Sequence, residues 1–130
     1  HGTRYSIPVV LAFFAECGLP EPVPEFRFHD ERKFAFDFAW VEQKVALECQ
    51  GGIFARLPGG HNRGAQIRKE HEKRNLAACR GWRILYCETE TLCTTEVADM
   101  IRRTLTWHQT ASICASEADS SRENSLDVEF

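Results

Sequence analysis

The chain has 130 residues, of which 43% are hydrophobic and 27% charged, the balance of a single globular domain with room for a real core. No apolar run approaches the roughly 18–20 residues needed to cross a membrane, and the opening His1-Gly2-Thr3 reads as an expression remnant, not a secretion signal. The net charge of −3 argues against a uniformly basic nucleic-acid binder, so any such surface must be local.

Chain order reads as α-β-β-β-α-β-α. Residues 5–17 carry Ile7, Val10, Leu11 and Phe14 at i, i+3, i+4 and i+7, a helix stripe that Gly18 stops. Leu19-Pro20-Glu21-Pro22-Val23-Pro24 is a stiff connector, unfit for helix or central strand. Three strand patterns follow, over 25–29, 34–40 and 45–50, with connections short enough for hairpins. Gly51-Gly52 ends the third, and a Gly-, His- and Arg-rich loop leads to a charged helix over 66–80 that Gly81 terminates. Residues 82–87 form a fourth strand. Thr94 or Thr95 then caps a last helix striped by Val97, Met100, Ile101, Thr104, Leu105 and His108. The expected fold is α/β, a mixed central sheet flanked by helices. It occupies residues 1–109, and 110–130 form an acidic tail with little to bury.

The six cysteines (17, 49, 79, 87, 93 and 114) contain no C-x-x-C pair, which weighs against structural zinc. Several sit inside apolar runs, where free cysteine acts as a small hydrophobe, so a reducing, cytoplasmic setting is expected. Residues 116–130 hold five acids and one base, whereas 56–83 hold eight bases and two acids. That basic block, with Arg56, His61, Arg63, Arg68, Lys69 and His71, is the expected DNA-binding surface. In Gly59-Gly60-His61-Asn62-Arg63-Gly64 the glycines let backbone amides approach phosphate, although a plain surface loop fits as well. Trp40 and Trp82 are expected in the core, and His29 in a structural or solvent-facing role.

Alternation along 34–40 puts Phe34, Phe36 and Phe38 on one face and Asp37 on the other. In the next strand Val45, Leu47 and Cys49 share a face, opposite Glu48 and Gln50. Pairing the two strands brings Asp37, Glu48 and Gln50 together. Two carboxylates so placed repel unless a cation or proton intervenes, and hard oxygen ligands suit Mg²⁺.

Asp37, eleven residues before Glu48-Cys49-Gln50-Gly51-Gly52, resembles the D…(D/E)-x-K signature of PD-(D/E)XK nucleases. Arg27-Phe28-His29, Phe36-Asp37-Phe38-Ala39-Trp40, Gly60-His61-Asn62-Arg63-Gly64, Glu72-Lys73-Arg74-Asn75 and Gly81-Trp82-Arg83 look more narrowly like small stand-alone nucleases of phages and mobile elements. The resemblance covers about residues 5–107 and implies a restriction-endonuclease-like αβββαβ core that hydrolyses DNA phosphodiesters with Mg²⁺, or Mn²⁺ in its place. Asp37, Glu48 and the Cys49 carbonyl would hold the metal. The third signature position, normally Lys, is Gln50. Either Gln50 suffices or a cation comes from the following helix, where Lys69 and Lys73 are i, i+4 neighbours and Lys73 is preferred. An upstream Glu is common in the family; Glu25 and Glu16 both qualify, with Glu25 preferred. Three other readings stay open: a mismatch- or structure-specific nickase similar to very-short-patch repair enzymes, with His61 or His71 near the metal; a metal-less binding module of the same fold; and an interaction domain recruited to a larger machine through the acidic tail. A homodimer would suit double-strand cleavage, and no membrane partner is expected.

Overall fold

The structure, a computed structural model, describes residues 5–51 and 63–107. Its elements follow the order read from the sequence: α1 (Ile7–Glu16), β1 (Val23–Arg27), β2 (Ala35–Trp40), β3 (Val45–Gln50), α2 (Arg63–Cys79) and β4 (Arg83–Glu88). A short 3₁₀ turn (Thr89–Thr91) and α3, helical over 95–107, complete it. The four strands form one mixed sheet in the order β1-β2-β3-β4. The first two pairings are antiparallel hairpins, and β3–β4 is parallel, joined through α2.

Local sequence explains where the helices stop. Gly18 and Gly81 adopt φ of +80° and +83°, the left-handed conformation that ends a helix cheaply only at glycine. In each case the next residue's amide reaches back five positions: Leu19 to the Phe14 carbonyl and Trp82 to the Ala77 carbonyl, both at 3.0 Å. Leu19 and Trp82 are themselves buried, so each terminus also anchors a hydrophobic contact. Thr94, not Thr95, caps α3, its hydroxyl accepting the Val97 amide at 3.3 Å.

Two cores lie on opposite sides of the sheet. Phe38, Trp40, Val45 and Leu47 pack against Val10 and Phe14 of α1 and against Val97, Ile101 and Leu105 of α3. Phe36, Ala39, Ala46 and Trp82 pack with Phe28 and with Ala77 of α2. Trp40 and Trp82 are core residues as expected, and Trp40 Nε1 donates to the Pro20 carbonyl at 2.8 Å. His108 and the tail lie outside the described residues, as does Cys114.

The first strand starts two residues before the expected 25–29 span: β1 takes in Val23 and Pro24 of the Pro-rich connector, and the proline is tolerated because β1 is an edge strand, not a central one. Cys17, Cys49 and Cys87 are half-buried against the core on the α1 and α3 side, whereas Cys79 and Cys93 are exposed, and all five described cysteines are free. Among the described residues no helix is long and apolar enough to cross a membrane.

Candidate metal and phosphodiester site

Phe34, Phe36 and Phe38 do not share one face as strict alternation predicts. Phe34 and Phe36 join the α2-side core, and Phe38, with Trp40, the opposite one. The break falls at Asp37. The regular β2–β3 pairing runs only to Phe38↔Leu47, and beyond it side chains replace the ladder. The Asp37 amide donates to Glu48 Oε2 at 3.0 Å, and the Cys49 amide donates to Asp37 Oδ2 at 2.7 Å. Two carboxylates have thus taken over the work of two backbone carbonyls, which fixes both and frees β2 to twist. On β1, Glu25 lies between the pairs Pro24↔Phe38 and Phe26↔Phe36, level with Asp37. Its φ is +50°, a conformation that costs a non-glycine residue and is commonly retained at functional sites.

A cation from the helix that follows β3 reaches the carboxylate pair. Lys73 of α2 places its ammonium on Glu48 Oε1 and over the Phe36 ring, 5.6 Å from its centre. Lys73 shares the sheet-facing stripe of α2 with buried Ala77, one turn later. The helix is held in that register from below: Arg32 grips Glu72 with two contacts, at 2.9 and 2.7 Å, and Arg80 donates to Asp30 and to the Phe28 carbonyl. His29 is structural, its Nδ1 accepting the amides of Glu31 and Arg32 in the same turn.

The remaining expected residues divide. Gln50 is half-buried at the end of β3, and its carbonyl accepts the Thr89 hydroxyl at 3.5 Å. Arg68, Lys69 and His71 are exposed on α2, and none of them is drawn into the carboxylate cluster. Glu16 is exposed at the end of α1. Arg63 opens α2; Arg56 and His61 lie outside the described residues. The basic block is smaller than its count suggests, because Lys73, Arg80 and Arg83 are committed to Glu48, Asp30 and the Thr104 carbonyl. Tyr5, which carried no signal in the sequence, packs its ring 5.8 Å from Phe38. Burial, with Asp37's charge behind it, holds the Tyr5 hydroxyl protonated far above its ordinary range.

Burial also pushes the carboxyls of Asp37 and Glu48 above the usual range. The Cys49 amide and Lys73 pull Asp37 back while Glu25 raises it further; Lys73 pulls Glu48 back and Asp37 opposes. The folded state therefore binds these protons more tightly than the unfolded chain does. Each group's contribution is most favourable below its unfolded pKa, about 4, and is lost as pH rises through the higher folded value. In chelator at neutral pH, Asp37→Asn should raise the melting temperature, by about 4–8 °C for each ~1 kcal/mol relieved, because the amide oxygen still accepts from Cys49. The gain should vanish near pH 3, and calorimetry across pH checks it. Glu48→Gln is not equivalent, since it strands the partly buried Lys73 ammonium.

Two adjacent carboxylates and a neighbouring backbone carbonyl form a hard oxygen donor set of the kind Mg²⁺ accepts, with water and phosphate supplying the rest. The like charges of Asp37 and Glu48 already call for a cation, and the Lys73 ammonium answers that call at Glu48 Oε1. Among the described residues no group of three or more His, Cys, Asp or Glu side chains is gathered for an ion, so substrate oxygens and water would have to complete the shell. No family model, curated protein or solved structure matches this chain.

Proposed function

We propose that this chain is a Mg²⁺-dependent deoxyribonuclease with a restriction-endonuclease-like αβββαβ core, hydrolysing DNA phosphodiesters at Asp37 and Glu48. The observation that carries the reading is the meeting of Asp37, Glu48 and Lys73 from two adjoining strands and a helix. It joins the acid pair of the signature to a cation in place of the signature lysine. Asp37, Glu48 and the Cys49 carbonyl would hold the metal. When bound, the metal supplies charge that polarises the phosphate and lowers the pKa of an attacking water. Lys73 keeps a fixed positive charge beside the reacting phosphate and is positioned to orient water. Gln50, two residues beyond Glu48 on the same strand face, can hold that water by its amide but adds no charge. Glu25 adds a smaller negative charge near Asp37.

Incubating the chain with supercoiled plasmid tests the reading. Nicking or linearisation in Mg²⁺ or Mn²⁺ that stops in EDTA is expected, and intact plasmid under all conditions would oppose it. A second reading, a metal-less nucleic-acid-binding module, draws support from the same ion pair, because Lys73 neutralises Glu48 with no metal. It predicts DNA retention without cleavage. The nickase reading has less support, since exposed His71 stands apart from the carboxylates.

The exposed cations of α2 give a separate prediction. Lys69→Ala and Arg68→Ala should weaken duplex binding and lower the slope of log K against log salt by up to about 0.9 each. Metal affinity should stay unchanged. Fluorescence anisotropy at several ionic strengths measures the slope.

A further inference from the structure

The polar row continues past Glu48. In the parallel register Tyr86 of β4 stands directly opposite Glu48. Tyr86 is 38% exposed, although it lies within a strand. Arg74, the residue after Lys73 on α2, holds its guanidinium carbon 4.8 Å from the centre of that ring. One turn of helix therefore sends one cation to Glu48 and the next to Tyr86. Lys73 is neutralised where it lands; Arg74 is exposed and has no ion-pair partner among the described residues. Glu70, one turn earlier, adds negative charge near the same ring.

A guanidinium held over an aromatic ring and hydrogen-bonded to its side chain, as Arg74 is to Tyr86, is restricted in orientation, and its remaining N–H groups can bind outward. Those groups match two oxygens of a phosphate, and the restriction lowers the entropy cost of the match. Neighbouring strands are about 4.8 Å apart, whereas one DNA strand presents a charge every ~3.4 Å of axis. A group one strand over from Glu48 is therefore displaced by about one nucleotide. We propose that Arg74, propped by Tyr86, is a phosphate-binding subsite that seats the nucleic-acid phosphodiester adjacent to the one at Asp37 and Glu48. The inference rests on the nuclease reading for its location, but binding tests it without cleavage.

The experiment uses the full chain in EDTA with a fluorescein-labelled DNA duplex and anisotropy detection. Arg74→Ala should lose about tenfold or more in affinity, as for a charged hydrogen-bonded contact, and about 0.9 in salt slope. Arg74→Lys should recover the slope but not all the affinity, because it returns charge without the planar fork. Tyr86→Ala should lose affinity, Tyr86→Phe should lose less, and the Arg74→Ala/Tyr86→Ala double variant should be no worse than Arg74→Ala. Replacing single phosphates by uncharged methylphosphonates should reveal one position that weakens the wild type but not Arg74→Ala. Wild-type affinity and slope in Arg74→Ala, or no duplex binding by the wild type, would overturn the subsite. Normal binding behaviour with no cleavage in any metal would instead remove the nuclease reading and leave the subsite standing. Cleavage with unaltered Arg74→Ala binding does the reverse.

Discussion

Asp37→Ala and Glu48→Ala are each expected to abolish metal-dependent cleavage, by at least about 10³-fold, the scale of several kcal/mol of metal-derived charge stabilisation. The two positions are not redundant. Asp37 Oδ2 accepts the Cys49 amide and Glu48 Oε2 accepts the Asp37 amide, so each carboxylate also aims the other. Alanine at either position leaves a part-buried backbone donor unpaired, which costs stability apart from any loss of chemistry. Asp37→Asn separates the effects, keeping the acceptor while removing the charge. It should be as inactive as Asp37→Ala, yet fold with equal or higher melting temperature in chelator. Near-wild-type cleavage by any of these variants, measured on plasmid with Mg²⁺, would remove the carboxylate pair from the reaction.

Lys73→Ala should lower the single-turnover rate by about 10²–10³-fold, the usual scale of a positioned electrostatic or acid–base group. Its ammonium lies on Glu48, so its removal strips positive charge from the place where negative charge grows on the phosphate. Gln50→Lys should restore part of the rate by returning a cation to the strand. A contact with a distant phosphate predicts something different: weaker binding, a normal rate at saturating enzyme, and no rescue. Lys73 reaches across to Glu48 on β3, which places its charge at the carboxylate pair and not along its own helix.

Element order was legible because helical stripes and strand alternation are local properties. The Ile7–Phe14 and Val97–Leu105 stripes, the stops at Gly18 and Gly81, and the β3 limits at Val45 and Gln50 all follow from short stretches of sequence. The facing of Phe36 was misjudged for a physical reason. Alternation presumes an unbroken backbone ladder, and at Asp37 carboxylates replace ladder acceptors. That substitution is itself part of the site. Lys73 was half-legible: its i, i+4 relation to buried Ala77 points it at the sheet, but only the tertiary register selects Glu48 as its partner. Tyr86 was not legible, since the parallel pairing that sets it against Glu48 arises through the α2 crossover, not through any local pattern. The +6 basic block overstated the free surface because fold-making contacts had already used Arg80 and Arg83.

Crystals soaked in Mn²⁺ and measured for anomalous scattering test the central claim most directly. The account predicts a peak between the Asp37 and Glu48 carboxylates, in reach of the Cys49 carbonyl, that is lost in Asp37→Asn crystals. Saturating Mn²⁺ with no peak at that place, and Lys73 still seated on Glu48 Oε1, would contradict it.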